Sequence, residues 1–134
     1  MNKVLIVEDS QSLSALLKRK IESFLGYEVV QAYTLKETLA CIEKDEFFVA
    51  LIDLTLPDAP NGEAVDPIVG KMIPSIILTG RYDENIREEM QNKPIVDYVL
   101  KNTIEDIDYA IKMINRIHLN RSVQVLGVED SVVY

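Results

Sequence analysis

A chain of 134 residues with a single cysteine cannot close an internal disulfide, so its core must come from apolar packing. A reducing, cytoplasmic setting is the expectation. Positive charge is scarce as well: 14 Lys and Arg stand against 22 Asp and Glu, for a formal net charge of −8. No basic stripe or helix-turn-helix pattern offsets that balance, which argues against any direct nucleic-acid partner. Long hydrophobic runs are missing too. No apolar stretch approaches the roughly 18 residues of a membrane span, and the N-terminus starts directly with a strand, so neither a signal peptide nor a membrane partner is expected.

What the chain does have is four short apolar runs, each ending in a residue able to do chemistry. Lys3-Val4-Leu5-Ile6-Val7 leads into the pair Glu8-Asp9, and Val49-Ala50-Leu51-Ile52 into Asp53. Ser75-Ile76-Ile77-Leu78 leads into Thr79, and Ile95-Val96-Asp97-Tyr98-Val99-Leu100 into Lys101. Such Val- and Ile-rich runs read as strands buried on both faces, and the stretches between them have helical spacing. From Ser10 to Leu25, residues Leu13, Leu16, Leu17, Ile21, Phe24 and Leu25 fall on one face, and Gly26 supplies the stop. Tyr27 to Gln31 reads as a further strand. Thr34 and Glu37 have capping-box spacing, opening a helix that carries Leu35, Leu39 and Ile42 inward with Cys41 on or beside that face. Gly62 to Met72, interrupted by Pro67 and Gly70, predicts a short or kinked helix.

Asp83 to Gln91 offers only Ile86 and Met90 as large apolar residues and should be weakly packed. Thr103 to Ile117 has Thr103 as cap, Asp106 three residues on, and a stripe of Ile104, Ile107, Ile111 and Ile114, with His118 at the helix end. Tyr82 reads as a surface residue. The expected architecture is α/β, a doubly wound five-stranded parallel sheet in which five strands alternate with five helices.

In such a sheet ligands sit beyond the carboxyl ends of the strands, where Glu8, Asp9, Asp53, Thr79 and Lys101 would converge. Three neighbouring carboxylates raise one another's pKa values unless a divalent cation lies between them. Oxygen-only ligands that leave room for water suit Mg²⁺ better than zinc or copper. With charge neutralised, one carboxylate can attack phosphorus and form an acyl phosphate. Asp53, alone on the central strand, is the candidate nucleophile, and Thr79 and Lys101 would hold the phosphoryl oxygens. Thr55 and Arg81 border the site.

On these residues the chain resembles the receiver domains of bacterial response regulators over residues 1 to about 120. The resemblance implies a flavodoxin-like strand order 2-1-3-4-5, Asp53 as phosphoacceptor, and Mg²⁺ held by Asp9, Asp53 and the Thr55 backbone carbonyl. Glu8 would act chiefly through metal-bound water. Thr79 and Tyr98 would be the switch pair, and Pro57 also fits the family pattern. It further implies two-component signalling in the cytoplasm, with a sensor histidine kinase or histidine phosphotransfer protein as partner. A homodimer through the face of helix 4, strand 5 and helix 5 is part of the same expectation. The domain would hydrolyse its own acyl phosphate slowly rather than act as an enzyme.

Two departures stand out. Gly62 lies nine residues after Asp53 where the family has glycine at eight, so the loop beside the site should hold one extra residue. Asn102 follows Lys101 where the family has a cis proline. A cis bond before a non-proline residue costs ~3–4 kcal/mol, so a trans bond is predicted.

Two other readings compete. A phosphorylation-independent interaction module would keep the fold with an idle site. An aspartate-nucleophile phosphatase of the haloacid-dehalogenase type would need a second acid two residues after the nucleophile, where Thr55 stands.

Finally, Val125-Leu126-Gly127-Val128-Glu129-Asp130-Ser131 matches Val4-Leu5-Ile6-Val7-Glu8-Asp9-Ser10 at six of seven positions. Residues 1–120 are therefore expected to form one receiver. Residues 121–134 are expected to form a linker and the truncated first strand of a second receiver-like domain, the chain being a fragment of a tandem-receiver protein. Tandem receivers resemble the front ends of some diguanylate cyclases and hybrid signalling proteins. Cut from its own sheet, that strand should be disordered, prolong the preceding helix, or add to a sheet edge.

Overall fold

Strand β1 (Lys3–Val7) lies near the middle of one parallel sheet, flanked by β2 (Glu28–Ala32) at one edge and β3 (Val49–Ile52) on the other side. The order continues through β4 (Ser75–Thr79) to β5 (Asp97–Leu100) at the far edge, giving β2-β1-β3-β4-β5. This is the flavodoxin-like order expected. A computed structural model describes residues 2–81 and 83–126, with side chains as far as Arg121. Tyr82 and the 127–131 part of the terminal repeat lie outside the described residues.

Helices cover both faces, as continuous apolar strands require. Helix α1 (Gln11–Lys20) and α5 (Ile104–Leu126) pack Leu17, Ile107, Ala110, Ile111 and Ile114 against Val4, Ile6, Leu51, Ile76 and Leu78. On the opposite face, α2 (Leu35–Lys44), α3 (Val65–Gly70) and α4 (Glu84–Gln91) cover Leu5, Val7, Ala50, Ile52 and Ile77 with Ile42, Val65, Ile68 and Met90. Alternate residues of each central strand thus serve alternate cores.

Local signals set most boundaries. Ser10 caps α1 by accepting the Leu13 backbone N–H, and Lys18, Arg19 and Lys20 complement the dipole at its far end. Thr34 caps α2 through the Glu37 N–H, while the Glu37 carboxylate reaches back to the Tyr33 N–H rather than to that of Thr34. Thr103 and Asp106 form a reciprocal box at the start of α5. Helix α3 is short, and Pro67 is tolerated because it sits in the first turn, where no N–H has an intrahelical partner.

Several expectations need correcting. Phe24 is 73% exposed, not inward, because α1 gives way to a π-helical turn over Ile21–Leu25 that rotates the following side chains out of phase. Leu39 is exposed and Thr38 buried in its place, so the stripe of α2 runs through Leu35, Thr38 and Ile42. Ile104 is 51% exposed in the first turn of α5, with Ala110 completing the buried stripe further on. His118 is not at a helix end, since α5 continues to Leu126; its ring packs against Tyr27 and Phe48 at centroid distances of 4.7 and 4.9 Å. Strand β2 starts and ends one residue later than the pattern indicated, and β5 begins only at Asp97.

Candidate functional site

Backbone pairing delivers the predicted residues to one rim. The Asp53 N–H donates to the Val7 carbonyl at 2.8 Å, the Glu8 N–H to Ala32 at 3.0 Å and the Lys101 N–H to Thr79 at 2.9 Å. Each residue is therefore fixed just beyond the last rung of its strand. The peptide at Lys101–Asn102 is trans, no cis bond occurring among the described residues. The lysine nevertheless reaches across two strands: Nζ lies 2.6 Å from Glu8 Oε1 and 2.9 Å from Asp53 Oδ2.

Glu8, Asp53 and Thr79 are 2%, 5% and 1% exposed, whereas Asp9 faces solvent. One carboxylate oxygen from each of Glu8, Asp9 and Asp53 lies within 4.8 Å of the others. Beside them opens a shallow cavity of about 400 Å³, lined by Asp9, Asp53, Thr55, Thr79, Gly80, Arg81 and Lys101. Glu8 does not line it and forms part of the floor below. Burial pushes its carboxyl up to about 7, against the opposing pull of the Lys101 ammonium and the Ser10 N–H, and with the Asp53 charge adding to the rise. Lys101 loses solvation in the same place, yet its hydrogen bonds to both carboxylates leave its pKa raised.

The remaining oxygens are oriented by backbone. Asp53 Oδ1 accepts the Thr55 N–H at 3.2 Å, Glu8 Oε2 the Ser10 N–H at 3.0 Å, and Thr79 Oγ1 the Arg81 N–H at 3.2 Å. A donor set of carboxylates alone, with one exposed member and an open side, fits Mg²⁺ with retained waters. Tyr98 does not touch the cavity. Its phenol donates to the Arg81 carbonyl at 3.2 Å, tying β5 to the loop after β4, and the Arg87 guanidinium lies 5.9 Å from its ring centroid.

The loop between β3 and α3 holds what the sequence reading did not foresee. The Asp58 carboxylate accepts the Leu35 and Lys36 N–H groups at 2.7 and 3.1 Å, capping α2 from a distance; the Leu35 bond leads in holding its pKa down. Arg81 Nη1 donates to the Pro60 carbonyl at 2.8 Å and to Asn61 Oδ1 at 3.3 Å. Gly62 takes φ +80°, and a Cβ there would come within 2.6 Å of Met90 Cε. The delayed glycine therefore still makes the turn. The extra loop residue was the available signal, but no spacing rule says what such a loop will bond to.

Comparison with known proteins agrees with this geometry. The response regulator receiver domain family matches residues 4–114. The regulatory protein VanR of Enterococcus faecium is 32% identical over 112 residues, covering 83% of this chain and 43% of that protein. The CAI-1 autoinducer sensor kinase/phosphatase CqsS of Vibrio cholerae is 29% identical over 78% of this chain and 16% of its own length. A crystal structure of a two-component system response regulator/GGDEF domain protein superposes with a TM-score of 0.81 at 39% identity, over 90% of this chain and 49% of that one. The chain thus spans less than half the length of these relatives. It belongs to the response regulator receiver domain family, and is a receiver domain of two-component signalling.

Proposed function

We propose that Asp53 is the phosphoacceptor of this receiver and that Thr79 and Lys101 hold the transferred group. The observation that carries this is the bridge from Lys101 to both Glu8 and Asp53, an ammonium already in contact with the nucleophile's carboxylate. An Asp53 oxygen attacks the phosphorus of a phosphohistidine, the new O–P bond forms as the P–N bond breaks, and the imidazole leaves with a proton. Lys101 then exchanges a carboxylate partner for phosphoryl oxygen. The Thr79 hydroxyl, which accepts from Arg81 through its lone pair, has its proton free to donate to another.

Asp9, Asp53 and the Thr55 carbonyl would hold Mg²⁺, with Glu8 acting through its waters; the ion would supply the positive charge that lets a dianion approach three acids. The acyl phosphate returns to aspartate by slow hydrolysis, with no external substrate turned over. Thr55, in place of the second acid that an aspartate-nucleophile phosphatase needs, supports that non-enzymatic reading. The phosphoryl contacts favour one position of Tyr98 and so alter the surface of α4, β5 and α5, through which a second copy would dock. Exposed Val96 and Tyr109 on that side support such a contact.

The donor is a sensor histidine kinase or a histidine phosphotransfer protein, in the cytoplasm. No described helix is long and apolar enough to cross a membrane. Residues 121–126, expected as a linker and strand start, instead continue α5. The terminal repeat therefore supports a second receiver-like segment only beyond that helix, in a parent that couples the receiver to a further module, as the GGDEF-containing relative does. Incubation with Mg²⁺ and acetyl phosphate tests the reading. Intact mass should rise by one phosphoryl group in the wild type and stay unchanged in Asp53→Asn. No gain in either protein would leave the idle interaction module in its place.

A further inference from the structure

Resting on the reading of Asp53, Thr79 and Tyr98 given above, we propose that Arg81 is a positioning residue for phosphoryl transfer. Moored by its guanidinium to the lengthened loop at Pro60 and Asn61, it fixes the backbone that holds both the Thr79 hydroxyl and the Tyr98 phenol. Three hydrogen-bonding parts of one residue serve three different elements. Its N–H meets Thr79 Oγ1, its carbonyl receives Tyr98, and Nη1 spans two acceptors of the loop between β3 and α3. The other terminal nitrogen lies 3.9 Å from the carboxylate of Asp83, the residue that caps α4.

The main chain at residue 81 cannot shift without carrying Thr79's donor and Tyr98's acceptor with it. The side chain is what stops it from shifting. Both loop acceptors belong to the stretch Asp58-Ala59-Pro60-Asn61 that delays Gly62, so the lengthened loop supplies the mooring. A planar guanidinium can serve two acceptors at once, whereas an ammonium on a flexible stem holds no such fork. Because the mooring exists before any phosphoryl group arrives, the site is partly organised in advance, and less of the transferred group's binding energy goes into ordering the loop.

Arg81 also lines the cavity, so the competing role is direct contact with the phosphoryl oxygens. A mutant cycle on the whole chain separates the two. Beryllofluoride with Mg²⁺, a non-covalent mimic of the phosphoryl group, should bind about three- to tenfold more weakly to Arg81→Ala, the net size of one ordinary hydrogen bond, because the lost contact orders the site rather than touching the ligand. Deletion of Asn61, with Arg81 intact, should weaken it by a similar factor, and the double variant no further. Arg81→Lys should behave like Arg81→Ala.

A second readout needs no phosphoryl mimic. Amide exchange at Gly80, Arg81 and Asp83 in the free protein should accelerate several-fold in Arg81→Ala and in the deletion variant. Additive losses in the cycle, or wild-type binding by Arg81→Lys, would overturn the positioning role in favour of charge. Unchanged exchange would overturn the mooring itself. Should the wild type bind no beryllofluoride at all, the phosphoacceptor reading fails, while the exchange rates still decide whether Arg81 holds the loop.

Discussion

Glu8, Asp53 and Lys101 stand at the ends of strands, the first two flanked by neighbours buried on both faces, whereas Arg81 and Tyr98 hang from a loop and an edge strand. The helix beside them, α4, has Met90 as its one buried residue. The floor of the pocket is thus held by core packing and by the ladder of β1, β3 and β4, with Lys101, which follows the edge strand β5, tied into it by its ion pairs to Glu8 and Asp53. Its wall is held by a few side-chain hydrogen bonds near solvent. Group transfer needs atoms fixed within tenths of an ångström, and a switch needs two arrangements separated by little free energy. One sheet edge supplies both, by placing the reacting groups on its rigid part and the responding groups on its soft part.

Perturbing floor and wall separately should expose the contrast. The largest effect is expected from Lys101→Ala, which leaves two nearly buried carboxylates without their counter-charge. Urea unfolding in the absence of Mg²⁺ should show a loss of about 3 kcal/mol. A loss no bigger than that of a surface ion pair would place Lys101 on the soft side.

Gly62→Ala comes next. It forces an alanine to φ +80° and its Cβ onto the Met90 methyl, but that methyl ends a flexible side chain and can yield. About 1–2 kcal/mol should be lost, with amide exchange rising chiefly in α4. Ile86→Ala, at a half-buried position on α4, should cost about 1 kcal/mol and speed exchange in α4 while β1 and β3 stay protected. Equal acceleration in β3 would mean that floor and wall open together.

The smallest effect is a matter of pH. The Glu8 carboxyl is raised in the folded state to about 7 from the usual 4.5, so its contribution to stability is complete below the unfolded value and lost as pH climbs through the folded one. Between pH 5 and 7.5 the wild type without Mg²⁺ should lose stability relative to Glu8→Gln. Parallel pH profiles for the two proteins would contradict the burial argument.

The floor was legible in the sequence because it depends on position along a strand. An apolar run long enough to be a buried strand predicts where its first polar residue will emerge, and Glu8, Asp53, Thr79 and Lys101 all emerge there. The caps at Thr34 and Thr103 were legible, since their bonds span three residues, whereas the Asp83 cap of α4 was not read from the pattern. Helical phase was less secure. A π-helical turn, invisible to a 3.6-residue period, turned Phe24 outward, and the stripe on α2 runs through Thr38, whose hydroxyl is satisfied by the Thr34 carbonyl, rather than through Leu39. The wall was mostly illegible. Asp58 on the start of α2 and Arg81 on Pro60 join segments 22 and 21 residues apart through loop backbone, where side-chain identity alone does not choose the partner.

The central claim is that the rigid floor makes one particular carboxylate the acceptor, and the identity of that residue tests it most directly. After incubation with Mg²⁺ and acetyl phosphate, borohydride reduction converts an aspartyl phosphate to homoserine, which peptide mass spectrometry then locates. The account predicts homoserine at position 53 and nowhere else. Homoserine at position 9, or at any site outside the Glu8–Asp53–Lys101 floor, would contradict it.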